Sequence, residues 1–338
     1  MITVTLYSRR DCPACDEARQ NLQALQDDIP HRLVELFVED APELYREYLD
    51  QVPVVEAGPY RKKAPFDITE LAVTLRAAED RMESLEKIGD SDYLERVQRG
   101  STISGGDRFS YWLTSNYIWL INLLLLLYVG LPFVAPVLMK EQLTAPANVI
   151  YTAYSPLCHQ LAFRSFFLYG EQIYYPRQAA GVTGVLTYGQ ATGLPENDLL
   201  AARAFRGNAT VGYKVALCER DVAIYASMLV FGVLFALTGR RMKPLHWILW
   251  VLIGILPIAL DGFSQLFSQL GLASINQLLP YRESTPFLRV FTGALFGFTT
   301  AWFGIPYIEE SMRETRRQLA RKFAAVAVRQ AGSSAQEK

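Results

Sequence analysis

One uncharged stretch constrains the fold of this chain more than any other feature of its sequence. No charged residue occurs from Phe109 to Met139, and a helix needs only about 20 apolar residues to cross the hydrocarbon core of a bilayer. Three further uncharged runs cover residues 222–239, 244–260 and 290–308. Because lipid offers the backbone no hydrogen-bond partner, each run is expected to form a helix. The sequence therefore predicts an integral membrane protein with an all-α bundle of about four spans.

Basic residues on the predicted loops indicate the orientation of this bundle. One group lies between the second and third spans (Arg240, Arg241, Lys243), and another follows the fourth span (Arg313, Arg316, Arg317, Arg321, Lys322). Cytoplasmic loops are enriched in lysine and arginine. We therefore expect a plasma-membrane protein whose N-terminal domain and C-terminal basic tail, residues 311–338, are cytoplasmic. The absence of a secretory leader after Met1 agrees with this orientation. A formal net charge of -1 argues against a nucleic-acid partner.

The charge-rich first hundred residues contain a cysteine pair in an informative position. Asp11-Cys12-Pro13-Ala14-Cys15 lies between residues 2–7, which alternate in polarity like a strand, and residues 17–25, whose apolar positions share one helical face. A helix N-terminus stabilises a thiolate and lowers its pKa. Cys12 is therefore expected to be the nucleophile, and Cys15 is close enough to resolve a mixed disulfide.

A zinc site is the competing interpretation of such a pair. No second Cys-x-x-Cys and no His-x-His occurs in the first hundred residues. The redox interpretation is therefore favoured.

Residues 7–15 resemble the active-site strand and turn of a glutaredoxin, within the thioredoxin superfamily. The resemblance covers about residues 1–80 and implies an α/β thioredoxin-like domain. It also implies a cis-proline beside the cysteines, a place that Pro53 matches. Pro65-Phe66-Asp67 stands where ordinary glutaredoxins have a Gly-Gly-Asp stretch that grips glutathione, which argues against glutathione as the reductant. Residues 81–108 are expected to form a charged helix and a Gly/Ser linker before a membrane domain at 109–310.

A second group of polar residues is predicted at the outer end of the bundle. Charged side chains at membrane level are expensive and normally turn toward partners. We expect Asp221 and Asp261 each to lie near an arginine, with Arg220 or Arg289 as the partner. The whole predicted cluster comprises Cys158, His159, Arg164, Cys218, Arg220, Asp221, Asp261, Arg282 and Arg289.

These residues resemble an uncharacterised family of membrane proteins, known as domain of unknown function 2085. The matching segments are Cys158-His159-Gln160, Cys218-Glu219-Arg220, Asp261-Gly262 and residues 289–293. Family members often have a cysteine where this chain has Asp221. The resemblance implies no established activity.

Three interpretations remain open for Cys158, His159 and Cys218. The cysteines could form a structural disulfide on an oxidising outer face, or they could be a redox-active pair. Alternatively, both cysteines and His159 could bind a metal together with Asp221 or Asp261. No cofactor is certain from the sequence, and a metal at this cluster is possible.

Together these features predict a membrane-tethered thiol–disulfide oxidoreductase, a disulfide reductase that acts on a thiol or disulfide protein or a small thiol. Cys12 and Cys15 would exchange electrons with the substrate, and Pro53 would hold the substrate backbone. The alternative is a membrane transporter, channel or sensor that the thioredoxin-like domain regulates through its redox state.

Overall fold

A computed structural model describes residues 1–40, 44–45, 48–89, 99–100, 102–270 and 280–336. The chain divides into two compact units. The first unit joins Met1–Asn116 to Ser311–Lys338, and the second unit is Tyr117–Glu310. The first unit is therefore built from both ends of the chain.

The first unit contains a four-stranded sheet in the order β2-β1-β3-β4. Strand β1 (Ile2–Ser8) pairs in parallel with β2 (His31–Phe37) and antiparallel with β3 (Val54–Ala57), which pairs with β4 (Tyr60–Lys63). Helix α1 (Pro13–Ala24) connects the parallel pair, and α2 (Ile68–Ile88) follows the sheet. This is the α/β arrangement that the sequence predicts.

The two faces of this sheet bury different residues. Val4 and Leu6 of β1 pack with Leu22 of α1 and Leu75 of α2, and all four are fully buried. The alternation of side chains along β1 turns Tyr7 to the opposite face. There the packed residues include Tyr48 and, from the other end of the chain, Ala324.

Helix α2 extends beyond residue 80, where the sequence predicted that the domain ends. Asp67 caps it by accepting a 2.7 Å hydrogen bond from the backbone N–H of Glu70. The helix ends at Ile88, before a left-handed Gly89. The rest of the predicted charged helix, residues 90–97, lies outside the described residues.

The second unit is mainly helical, and four helices of the described residues are long and apolar enough to cross a membrane. They are α3 (Gly105–Lys140), α7 (Glu219–Leu237), α8 (Trp247–Ser268, with a π-helical turn at Trp250–Ile255) and α9 (Pro286–Gln336). The four predicted uncharged runs all fall on these helices. Both α3 and α9 extend into the first unit, and residues 311–336 of the predicted basic tail continue α9 as a helix.

Between α3 and α7 the chain forms a polar layer that includes a small sheet. Helix α4 (Thr144–Tyr154) leads to β5 (Ser165–Leu168), and the short helices α5 (Tyr188–Thr192) and α6 (Leu199–Ala204) follow. Strand β7 (Gly212–Cys218) pairs antiparallel with both β5 and β6 (Gly207–Asn208). The all-α expectation for the membrane domain did not include this sheet.

Candidate functional site

The first cysteine pair lies at the N-terminus of α1. Cys12 is the N-cap, with an extended backbone, and Pro13 occupies the first turn. The Cys12 sulfur accepts a 3.2 Å hydrogen bond from the backbone N–H of Cys15. The two residues have a Cα–Cα distance of 5.2 Å, and a disulfide joins them. After reduction, the same N–H groups would stabilise a thiolate on Cys12.

The two cysteines differ in exposure, and strand pairing places Pro53 near them. Cys12 is 8% exposed and Cys15 is 0% exposed, so a substrate disulfide reaches Cys12 more easily. The Val52–Pro53 peptide bond is cis. Pro53 directly precedes Val54, which pairs with Tyr7 near the end of β1. Pro53 therefore lies at the end of the sheet from which the chain turns into Cys12.

An ion pair connects α1 to the sheet below this turn. Arg19 of α1 donates hydrogen bonds of 2.8 and 2.7 Å to the Glu35 carboxylate on β2, and the Ser8 hydroxyl donates another of 2.6 Å. Burial alone would raise the pKa of Glu35, but the hydrogen bonds from Arg19 and Ser8 hold it below its ordinary value. The Arg19–Glu35 ion pair therefore holds the first part of α1 against the sheet.

The opposite sheet face carries two stacked tyrosines. The rings of Tyr7 and Tyr48 are 4.6 Å apart, and the Arg321 guanidinium lies 5.4 Å from the Tyr48 ring. A cavity of about 600 Å³ borders this face, and its walls include Tyr7, Glu56 and Arg321. Helix α9 therefore contributes Arg321 to this face of the sheet.

In the second unit, Asp261 of α8 is the centre of a polar cluster. It forms ion pairs with Arg220 of α7 and, at 2.7 Å, with Arg282. The Ser284 hydroxyl donates a 2.6 Å hydrogen bond to the same carboxylate. The predicted pairing of Asp261 with Arg220 is present, and Arg282 completes it.

A neighbouring network contains both remaining predicted arginines, Arg164 and Arg289. Glu283 is fully buried and pairs with Arg164 at 2.7 Å, Arg177 at 3.1 Å and Arg289 at 2.9 Å. Arg289 also reaches the buried Glu219 at 3.0 Å. Burial favours a raised pKa for Glu283, but the hydrogen bond and charge of Arg164, with the charges of Arg289 and Arg177, lower it.

Sequence reasoning missed three members of this network. The three are Glu219, Glu283 and Arg177, which are buried but were not predicted to belong to the cluster. Arg289 pairs with the two glutamates rather than with an aspartate. A signal was present, because Glu219 and Glu283 each lie next to an arginine that was selected. Several arginines at membrane level require buried acids to balance them.

The second pair of cysteines forms a site of its own with Asp221. The sulfurs of Cys158 and Cys218 and a carboxylate oxygen of Asp221 all lie within 4.8 Å of one another. Both cysteines are free thiols. The hydrogen bond between them lowers the pKa of Cys158 and, together with burial, raises the pKa of Cys218. His159 is exposed and is absent from this group.

The predicted arginine partner of Asp221 is missing from the described residues. Among them, Asp221 takes part in no ion pair with lysine or arginine, and its neighbours include the two sulfurs. The expectation of an arginine is therefore wrong within the described part of the chain. Asp221 lies in the first turn of α7, where it faces a different set of residues from Arg220.

Comparison with known proteins matches two separate stretches of the chain to two different family models. A family model described as a glutaredoxin-like domain (DUF836) matches residues 3–76. The N-terminal domain is glutaredoxin-like. A second model, described as a predicted membrane protein (DUF2085), matches residues 201–303, which include Cys218, Asp221 and Asp261. The glutaredoxin-like domain is thus followed by a domain similar to that membrane family.

Part of the chain is also similar to a curated protein. The chain is 26% identical over 164 residues to "Uncharacterized protein MJ1492" of Methanocaldococcus jannaschii. The match covers 48% of this chain and 69% of the relative. No solved structure matches the chain.

Proposed function

We propose that this protein is a membrane-tethered thiol–disulfide oxidoreductase whose reacting groups are Cys12 and Cys15. The observation that carries the proposal is the position of Cys12 as N-cap of α1, with its sulfur accepting the N–H of Cys15. This geometry supports a nucleophilic thiolate at Cys12. The match of residues 3–76 to a glutaredoxin-like domain supports the same chemistry.

The reaction begins from the reduced dithiol. The Cys12 thiolate attacks one sulfur of a substrate disulfide, the substrate S–S bond breaks, and one substrate thiolate leaves. The Cys15 thiol then loses its proton and attacks Cys12, which releases the second substrate thiolate. Two electrons pass to the substrate, and the Cys12–Cys15 disulfide forms. A dithiol donor of low reduction potential must return the enzyme to its reduced form.

The site residues have separate roles in this proposal. Cys15 is fully buried beneath Cys12, which suits a resolving residue that meets only the mixed disulfide. Pro53, at the same end of the sheet, would place the substrate backbone beside the sulfurs. The basic residues after span four and between spans two and three support a cytoplasmic glutaredoxin-like domain. A thiol or disulfide protein at the membrane surface is the expected partner.

The test is a single-turnover assay of the reduced, desalted full chain in detergent with a disulfide-bonded peptide. Cys12→Ser should reduce no peptide, whereas Cys15→Ser should accumulate a mixed disulfide visible by mass spectrometry. The Cys158→Ser/Cys218→Ser variant is the matched control and should reduce about one equivalent. Full activity of Cys12→Ser would show that another thiol is the nucleophile.

One observation favours the alternative of a redox-regulated membrane domain. Helix α9 supplies the fourth candidate span and also, at Arg321 and Ala324, contacts the Tyr48 face of the glutaredoxin-like domain. A change of redox state at Cys12 and Cys15 would then act on α9. This alternative requires that reduction change the protection of residues 311–327 in hydrogen exchange, which simple catalysis does not.

A further inference from the structure

The group of Cys158, Cys218 and Asp221 draws its three side chains from different segments. Cys158 follows α4, Cys218 ends β7, and Asp221 lies in the first turn of α7. Strand β7 leads directly into α7, so Cys218 and Asp221 are held three residues apart at a rigid junction. Cys158 is buried, and the other two are partly buried. The fold therefore brings two sulfurs and one carboxylate to a single point.

Asp221 forms no ion pair among the described residues, although the buried Lys214 interacts electrostatically with the nearby Cys158. Each fully buried acid of the second unit has an arginine: Glu219 and Glu283 pair with Arg289, Asp261 with Arg220, and Glu309 with Arg240. Asp221 has no such pair in the part of the chain that the structure describes. A partly buried carboxylate without a counter-charge is costly. Its close neighbours are sulfurs, which become negative rather than positive when they ionise.

We propose that Cys158, Cys218 and Asp221 bind a divalent metal ion, with Zn²⁺ as the best chemical match. Two thiolates and one carboxylate form a borderline-soft donor set that suits Zn²⁺, whereas Mg²⁺ and Ca²⁺ prefer all-oxygen sites. Zinc binds sulfur at about 2.3 Å and carboxylate oxygen at about 2.0–2.2 Å. In a tetrahedral site with these bond lengths the ligand atoms lie roughly 3.5–4 Å from one another. The three atoms here lie within 4.8 Å of one another, so they need to approach by only about 1 Å.

Binding is an acid–base exchange without electron transfer. The two thiols each lose a proton to the solvent, and two Zn–S bonds and one Zn–O bond form. The ion gives Asp221 a positively charged partner, while the net charge of the site is unchanged because the two released protons balance the charge of Zn²⁺. Three protein ligands leave a fourth position for water, which is the arrangement of zinc sites that act on a substrate. A disulfide between Cys158 and Cys218 is the competing state, because it would remove both sulfur ligands.

The first experiment measures zinc in the purified full chain. Since Cys12 and Cys15 can also bind metal, every sample carries Cys12→Ser and Cys15→Ser. We expect about one zinc per chain by mass spectrometry. The further changes Cys158→Ser, Cys218→Ser or Asp221→Asn should each lower the zinc content at least several-fold. His159→Ala is the matched control, because His159 adjoins Cys158 but is exposed, and it should retain the metal.

Cobalt gives a second readout on the same samples. Co²⁺ in place of zinc should show a thiolate-to-metal charge-transfer band that disappears in Cys158→Ser and Cys218→Ser. Asp221→Asn should keep the band at weakened affinity. Equal zinc or cobalt binding in all variants would overturn the site.

A third measurement avoids variants that fail to fold. Chelator treatment of the otherwise unchanged chain should lower its melting temperature, and Zn²⁺ but not Mg²⁺ should restore it. Thiol counting and peptide mapping then identify the state of the cysteines. A Cys158–Cys218 disulfide in the isolated protein, with no thermal response to zinc after mild reduction, would overturn the proposal.

Discussion

At the scale of single residues, Glu283 has the most crowded surroundings. It is fully buried, and three arginines converge on its carboxylate (Arg164, Arg177, Arg289). Of these, Arg289 also has Glu219 as a partner. Removing Glu283 would leave the buried Arg177 without its acidic partner and Arg289 with Glu219 alone, which is the costly way to break a buried ion pair.

Because three arginines pair with Glu283, removal of its charge is expected to destabilise the fold. Glu283→Gln should lower the free energy of unfolding of the full chain by about 3–5 kcal/mol, measured by denaturant or thermal unfolding in detergent. Glu171→Gln is the control, because Glu171 is exposed in the same polar layer, and it should change stability by less than about 0.5 kcal/mol. Equal effects of the two changes would show that the network contributes no net stability.

Some site residues could be predicted from the sequence and others could not, and the difference depends on the residue type and its neighbours. Cys12, Cys15 and the Arg220–Asp261 pair could be predicted, because spacing and the cost of a charge in the membrane indicate them. Glu219 and Glu283 were missed because a glutamate beside an arginine, at or shortly before the start of a helix, is normally predicted to be exposed. Only the tertiary structure shows that both are buried and that Arg289 joins them.

At the scale of elements, α7 and α9 pack closely through small residues. Gly293 and Gly297 are four apart on α9, and a Cβ added at Gly297 would overlap the carbonyl of Ile224 and the hydroxyl of Ser227 on α7. A Cβ at Gly293 would lie 2.8 Å from the carbonyl oxygen of Arg220. Small residues allow such close approach of membrane helices. This contact also holds Arg220 at the level of Asp261.

A pair of glycine substitutions on α9 tests this packing. Gly297→Ala should destabilise the chain by about 1–3 kcal/mol, because the added methyl group forces α7 and α9 apart. Gly304→Ala is matched in helix and residue type, but nothing lies within 4 Å of its added Cβ. It should be neutral or stabilising by up to about 1 kcal/mol. Thermal unfolding in detergent distinguishes the two, and equal stabilities would contradict close packing.

The sequence pattern predicted the four candidate spans, but it did not predict the small sheet of β5, β6 and β7. A long uncharged run has one solution in lipid, so the four candidate spans fall where expected. Strand β7 was missed because Lys214 interrupts its apolar run. That lysine is fully buried and donates hydrogen bonds of 2.7 and 2.8 Å to the carbonyls of Gln160 and Arg203. A buried lysine of this kind breaks the polarity pattern that identifies strands.

At the scale of the whole molecule, the first unit unites the two ends of the chain. Residues 311–338 share that compact unit with residues 1–116. A compact body lies on one side of a bilayer, so the chain between them is expected to cross the membrane an even number of times. The four candidate spans satisfy this condition. The even number of crossings follows from the shared unit alone, whereas the side of the membrane follows from the basic loops.

The last prediction concerns the contribution of the C-terminal helix to the glutaredoxin-like domain. Fragment 1–89 should melt cooperatively, because β1, α1 and α2 bury a core of their own. A peptide of residues 311–327 at 100-fold its dissociation constant should add about 2.7 kcal/mol, which is roughly 10–20 °C for a domain of this size. The measurement is circular dichroism.

A charge-altered peptide provides the control. Arg321→Glu and Ala324→Glu should abolish the gain, because these residues contact the Tyr48 face. An unchanged melting temperature with the original peptide would mean that the domain does not need the C-terminal helix.

The shared unit also has a consequence for the order of biosynthesis. The glutaredoxin-like domain, whose last helix α2 ends at Ile88, leaves the ribosome first, but Arg321 and Ala324, which contact its Tyr48 face, follow about 230 residues later. At about 5–20 residues per second, that face stays open for roughly 10–45 s, while the spans are being made. During this interval the apolar residues that later contact Ala324 are exposed to solvent. Closure of the face therefore marks a chain whose last membrane helix has been synthesised.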